Sequence, residues 1–271
     1  MRNREGIIDA VRDNKHTASR RLSTGFRRRL PLTLLVAMVT IALWGCLTTR
    51  PWSVQTGQHK QVFERATVKP VCAQYLLYLP EGYSEGGKEW PLMIFLHGSG
   101  ERGDDLEKVK INGPPNFLEH RKDFPFIVAS PQLPEGQRWS ADVVIGLIDE
   151  LSAHLSIDTS RIYLTGLSLG GFATWDIACD YPERFAAIAP VCGIGDPDIA
   201  CRLKHLPVWA FHGANDPVVP IKDDEEMVNA VKGCGGDVRF TVYPNVGHGA
   251  WVQAYADSTL YTWFLEHRRH D

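Results

Sequence analysis

From residue 61 onward, short apolar runs alternate with amphipathic stretches. Pro91–Leu96, Phe126–Ser130, Ile162–Leu164, Ala186–Val191 and Val208–Phe211 are runs with no polar face, as expected of strands buried on both sides. Val238–Tyr243 is the last predicted strand. Gln61–Glu64 and Gln74–Leu79 are expected to pair as antiparallel edge strands, the second stopped by Pro80-Glu81-Gly82. Between the strands, Ala141–Leu155 places Val144, Ile145, Leu147, Ile148 and Leu151 at helical spacing. Asp223–Val231 and Ala250–Leu265 also read as helices, and a short helix is expected near Asp104–Val109, before Pro114-Pro115 breaks the chain. This alternation predicts an α/β fold: a mostly parallel, twisted sheet with helices on both faces. About 15 residues separate Val191 from Pro207, which leaves little room for a cap over one end of the sheet.

The pattern before residue 61 is different. Residues 1–29 carry nine Lys/Arg against three Asp/Glu, a balance of +6, and read as a disordered basic region. Leu30–Leu47 is uncharged and apolar over signal-peptide or membrane-span length, and Arg27-Arg28-Arg29 directly precedes it. Residues 30–47 are therefore expected to be a signal peptide or membrane anchor, and residues 48–60 a polar tether. The α/β domain is expected over residues 61–268. Leu43-Trp44-Gly45-Cys46 resembles a bacterial lipobox, with Trp44 departing from the usual small residue; Ser19-Arg20-Arg21 is a partial twin-arginine signal. Cleavage with lipidation at Cys46 and an uncleaved anchor are both open, and each places the domain outside the cytoplasm. Beyond residue 29 the chain carries 20 Lys/Arg against 29 Asp/Glu, a balance of −9, with no basic stripe for nucleic acid. The cysteines show no metal-ligand spacing, and no cofactor or metal is expected. In an oxidising compartment Cys192 and Cys201 are candidates to pair across a short loop.

The candidate chemistry centres on Arg161–Trp175, RIYLTGLSLGGFATW. Gly166-Leu167-Ser168-Leu169-Gly170 fits G-x-S-x-G between a strand and a helix, the arrangement that exposes a nucleophilic serine on a tight turn. A serine hydroxyl needs a base, and the base needs an orienting acid. Asp216 follows the strand Val208–Phe211, and His248, in Gly247-His248-Gly249, follows Val238–Tyr243. The chain order Ser, Asp, His and the position of each residue after a strand agree with a triad, Ser168, Asp216 and His248. Taken singly, Asp216 is equally a turn former before Pro217, and His248 a loop histidine. Asp196, Asp198, Asp223 and Asp224 are competing acids in poorer positions. His97 and His212 stand before glycines at strand ends, and His205 lies in a polar loop. The Leu169 N–H, at the head of the elbow helix, and the Ser99 N–H, in the Gly-rich His97–Gly103 loop, are the candidate oxyanion donors.

HGSGERGDD, PQLPEGQRWS, GLSLGGFATW, PVCG, PVWAFHGANDPVVP and YPNVGHGAW together resemble a group of bacterial serine hydrolases. These are described as phospholipase/carboxylesterase-like, dienelactone-hydrolase-like or predicted peptidases akin to the prolyl oligopeptidase catalytic domain. The resemblance covers about Cys72 to Leu265 and implies an α/β-hydrolase fold with the triad and oxyanion residues above. It further implies that Trp139 and Trp251 line the substrate site; core packing is the alternative for both. Glu101 and Arg102 are expected to pair within the loop. The resemblance does not fix the substrate; the first reading of the activity is hydrolysis of a carboxylic ester, on a small molecule or a polymer, through an acyl-enzyme. A prolyl-oligopeptidase-type peptidase is the alternative, with Arg102 and Arg138 as candidate cations for a peptide terminus. A non-catalytic binding module is a third reading. Oligomeric state is left open.

Overall fold

The computed structural model describes residues 55–65, 71–84 and 86–269, so the basic region and the apolar run lie outside the described residues. Eight strands form one sheet in the order β1-β2-β4-β3-β5-β6-β7-β8. They are β1 (Gly57–Arg65), β2 (Val71–Leu79), β3 (Trp90–Leu96), β4 (Ile127–Pro131), β5 (Ile157–Leu167), β6 (Ala187–Val191), β7 (Val208–Gly213) and β8 (Val238–Tyr243). β1 and β2 pair antiparallel, β2 joins β4 antiparallel, and every pairing from β4 to β8 is parallel. The α/β fold expected from the strand–helix alternation, with a mostly parallel sheet, is the fold observed.

Alternation along the central strands explains the two-sided burial. Leu92, Ile94 and Leu96 of β3 join one core, with Leu164, Ile188 and Ala210 from the neighbouring strands. Met93 and Phe95 point the other way, into a second core with Tyr163, Ala189 and Phe211. Helix α2 (Ala141–His154) closes the first face with Val144, Leu147, Ile148 and Leu151. The C-terminal helices close the second with Tyr255, Leu260, Tyr261 and Phe264.

Four expectations need correction. β1 begins at Gly57, inside the stretch read as tether, because residues 57–60 continue its ladder with Leu76–Leu79. Pro114-Pro115 opens a short helix, α1 (Pro114–Leu118), because prolines are tolerated where helix N–H groups have no partner. The helix expected at Asp104–Val109 is a 3-10 helix at Leu106–Ile111. The single closing helix is two, separated at Asp257, whose carboxylate accepts from the Thr259 N–H at 2.9 Å and caps the second. In order, the remaining helices are α3 (Leu169–Asp180), α4 (Ile221–Gly233), α5 (Trp251–Ala256) and α6 (Ser258–Glu266). Among the described residues no helix is long and apolar enough to cross a membrane.

The disulfide also differs from expectation. Cys201 pairs with Cys234, not with Cys192. Cys192 is buried at the end of β6, while Cys201 sits in the 3-10 helix Pro197–Leu203 against the end of α4. The bond spans 33 residues of sequence. Closing a loop of that length is worth about 2–4 kcal/mol in chain entropy. Cys201→Ser is expected to lower unfolding free energy by about that amount, with kcat near wild type at 25 °C; denaturant titration and kinetics on the same preparation check both.

Candidate active site

The site is built at the carboxyl edge of the parallel strands, where open α/β sheets bind ligands. Ser168 lies between β5 and α3 with φ 51° and ψ −115°. A β-carbon resists this left-handed region, so the turn costs about 1–3 kcal/mol and needs support. The Ser168 N–H supplies some by donating to the Val191 carbonyl at 2.9 Å, across the ends of β5 and β6. Gly171 lets α3 press against the same place: a Cβ there would lie 2.5 Å from the Val191 oxygen and 3.1 Å from the Gly193 Cα.

Ser168, His248 and Asp216 meet. The Ser168 hydroxyl reaches His248 Nε2 at 2.8 Å, and His248 Nδ1 reaches Asp216 Oδ2 at 2.7 Å. Asp216 also accepts from the Val218 and Val219 N–H groups, at 2.8 and 2.9 Å, through its other oxygen. Burial raises the proton affinity of this carboxyl, but the Val219 N–H, His248 and the Val218 N–H together outweigh it and hold the pKa below the usual value. With one oxygen on two backbone amides and the other on His248, the carboxylate is oriented as an anion toward Nδ1.

The two candidate oxyanion donors occupy matching positions. Leu169 is the first residue of α3, and Ser99 the first of the 3-10 helix Ser99–Glu101, so neither N–H has an intrahelical acceptor. The Ser99 loop is pinned from below. Leu133 N–H donates to His97 Nε2 at 3.0 Å, which leaves the proton on Nδ1, donated to the Gly98 carbonyl at 2.6 Å. Burial holds this imidazole's pKa below the ordinary value, consistent with a neutral ring. Trp139 Nε1 donates to the His97 carbonyl at 3.1 Å, and its ring stands edge-on to the His97 ring. Glu101 and Arg102 do not form the expected local arrangement. Glu101 is buried and accepts from Asn112 Nδ2, whereas Arg102 donates to the Ser99 and Gln137 carbonyls. Arg102 therefore shapes the loop's backbone, and Arg138 is exposed.

Trp251 stands edge-on to the His248 ring, 5.1 Å between centroids, and donates from Nε1 to Asn112 Oδ1 at 3.1 Å. It also walls a cavity of about 420 Å³ with Phe117, Arg121, Tyr255 and Tyr261. Asn112 links this wall to Glu101, a connection that sequence spacing did not reveal.

Behind Asp216 lies a second set of groups. His212 and Asp224, weighed from sequence only as competitors, are fully buried and bonded to each other at 2.8 Å. Cys192 is beside them, with a positive φ of 49° and its thiol directed at the His248 carbonyl. Atoms of Cys192, His212 and Asp216 come within 4.8 Å of one another, but each residue is already engaged, with the His248 carbonyl, Asp224 and Val219, and His248 respectively. The candidate ligand atoms of all three thus already have hydrogen-bond partners.

Comparison with known proteins agrees with this architecture. Residues 137–259 match the model of the dienelactone hydrolase family. The chain is 28% identical over 233 residues to a probable feruloyl esterase C of Aspergillus terreus, covering 82% of this chain and 84% of that protein. A solved thermostable esterase is 32% identical with a TM-score of 0.67, covering 78% of this chain and 63% of that one. The chain has the α/β-hydrolase fold. A Pyrococcus horikoshii acylaminoacyl peptidase shares the fold, at 16% identity and a TM-score of 0.58, and this hydrolase spans 41% of that chain.

Gly171→Ala tests the packing under the elbow. The added Cβ meets backbone that cannot rotate away, so a loss of about 1–3 kcal/mol in stability is expected, measured by thermal unfolding. Gly249→Ala, where a Cβ meets nothing within 4 Å, is the comparison and should be near neutral.

Proposed function

We propose that this esterase-type hydrolase cleaves carboxylic esters with Ser168 as nucleophile, His248 as general base and acid, and Asp216 as the orienting anion. The observation that carries the reading is the unbroken hydrogen-bond chain from the Ser168 hydroxyl through both nitrogens of His248 to Asp216. Ser168 Oγ attacks the ester carbonyl carbon as its proton passes to His248 Nε2. The oxyanion that forms is held by the Leu169 and Ser99 N–H groups. As the tetrahedral intermediate collapses, His248 returns the proton to the departing alkoxide, leaving an acyl group on Ser168. Water then attacks the acyl carbonyl, with His248 taking its proton, and the acid leaves as Ser168 recovers its hydrogen. Throughout, Asp216 keeps Nδ1 protonated and offsets the imidazolium charge.

Trp251, against His248 and the aromatic cavity, is proposed to contact the substrate. Trp139 is proposed to act at the same site's edge, through the His97 carbonyl it braces. Esters on small molecules or on polymers suit a site without a long cap. The relatives named for feruloyl esters and the 32% identical thermostable esterase support an ester over an amide. Residues 1–47 are proposed to carry the domain out of the cytoplasm, and the Cys201–Cys234 bond is consistent with an oxidising compartment.

An ester and peptide panel on wild type and variants tests the assignment. Wild type should hydrolyse p-nitrophenyl and hydroxycinnamoyl esters; Ser168→Ala should lose about 10⁶ and Asp216→Ala about 10⁴ in kcat. Cleavage of prolyl or acylaminoacyl amides with no ester turnover would overturn the ester reading, and a folded wild type inert to both classes would favour a binding module. Because the carboxyl of Asp216 is held below its ordinary range, it should contribute no titration to the rate above about pH 5. A pH–rate profile whose inflection near pH 5 disappears in Asp216→Asn would contradict that.

A further inference from the structure

His212 takes no part in the relay described so far, yet its environment is built with more care than packing requires. The ring is fully buried at the end of β7, and both nitrogens face acceptors. Nδ1 is 2.8 Å from Asp224 Oδ2, and Nε2 is 3.0 Å from the Val219 carbonyl and 3.4 Å from Asp216 Oδ2. A carbonyl has no proton to give, so Nε2 must carry one. The Asp224 contact is then satisfied in two ways: an imidazolium facing a carboxylate, or a neutral ring facing a carboxylic acid. In either form the pair holds one proton between its members and has no net charge. That matters because Asp216, a buried anion, lies directly beside it.

The contacts also close a ring. Asp224, in the first turn of α4, accepts from Trp175 Nε1 at 3.2 Å through its second oxygen. Trp175 belongs to α3, the helix that Ser168 heads. The path runs from Ser168 to His248, Asp216, His212, Asp224 and Trp175, and returns to the helix where it started. Val219 is shared: its carbonyl accepts from His212, and its N–H donates to Asp216.

We infer that His212 is a positioning residue for Asp216: its Nε2–H fixes the loop that carries the carboxylate and directs a positive dipole at it, while Asp224 and Trp175 set the ring's orientation. This inference rests on the proposed roles of Ser168, Asp216 and His248. The groups around the ring agree with it. Burial opposes a charge on His212, but the Asp224 carboxylate, the Val219 carbonyl and Asp216 together outweigh it and raise its proton affinity. Burial pushes the Asp224 carboxyl up to about 6, with Glu225 adding in the same direction. Burial pushes the neighbouring Cys192 thiol up to about 12, so it adds no charge near neutral pH. Beyond Asp216 the next titratable group is His248 itself.

The inference separates two substitutions. Gln carries an amide nitrogen at the reach of Nε2, whereas Asn reaches only as far as Nδ1. His212→Asn is expected to lower kcat by about 10–100-fold, the loss of a buried hydrogen bond to the acid's loop, with KM within about twofold. It should also shift the acid limb of kcat/KM to higher pH, since Asp216 with less compensation attracts the proton on the adjacent ring more strongly. His212→Gln should restore most of kcat and the wild-type profile. In an Asp216→Ala background, His212→Asn should cost less than about twofold further, because its effect passes through Asp216. Equal losses in both backgrounds, or equal losses in Asn and Gln, would overturn the inference and leave a structural role. If His212→Asn fails to fold, the wild-type protein decides. ¹⁵N-histidine NMR, assigned with His212→Gln, should show a slowly exchanging Nε2–H up to about pH 9, and an unprotonated Nε2 at pH 7 would overturn it. That readout does not depend on turnover, so an inactive wild type would sink the ester reading while the Nε2 proton is judged separately.

Discussion

The positive φ of Ser168 sets up the rest of the site. With Ser168 at φ 51°, its side chain stands off the sheet edge while its N–H still bonds to β6. The same turn starts α3 directly after Ser168, so the Leu169 N–H has no intrahelical acceptor. The proposed nucleophile and oxyanion donor are therefore consecutive residues of one turn, and their relative placement follows from local backbone geometry. The cost, about 1–3 kcal/mol, is met by packing that no surface turn could offer. β5 is buried between β3 and β6, and α3 is pressed onto the strand ends where glycine replaces any side chain.

What the other two side chains contribute depends on how firmly their loops are held. Asp216 is fixed by two backbone N–H groups and by His248, and from behind by the His212–Asp224 pair. His248 has a carboxylate on one nitrogen, a hydroxyl on the other and the Trp251 ring edge-on to it. Trp251 is in turn tied through Asn112 to buried Glu101, in the loop that presents the Ser99 N–H. The Ser99 loop is thus joined through Asn112 to the ring that stands against His248.

Much of this was legible in the sequence because the signals were local. PLMIFL and AIAPV read as two-sided strands, and the glycines around Ser168 leave room for a tight turn. The positions of Asp216 and His248 just after strands brought them to the same edge without any knowledge of contacts. Features that depend on long-range packing were not legible. Nothing in the local pattern distinguishes Asp224 from Asp223, yet helix phase buries one against His212 and leaves the other half-exposed. Cys201 lies nearer in sequence to Cys192 than to Cys234, but the turn after β6 aims Cys192 inward and the 3-10 helix carries Cys201 to the end of α4. Asp257 reads as one polar position in an amphipathic run, and only its capping bond shows that a new helix starts there.

The account stands on covalent participation of one hydroxyl. Intact-protein and peptide mass spectrometry after rapid acid quench, with an ester whose acyl group leaves slowly, tests it most directly. The account predicts a transient mass increase equal to the acyl group, located on the peptide containing Ser168, formed before steady state and lost as acid appears. Ester hydrolysis that proceeds with no adduct on Ser168, or with the acyl group on another residue, would contradict it.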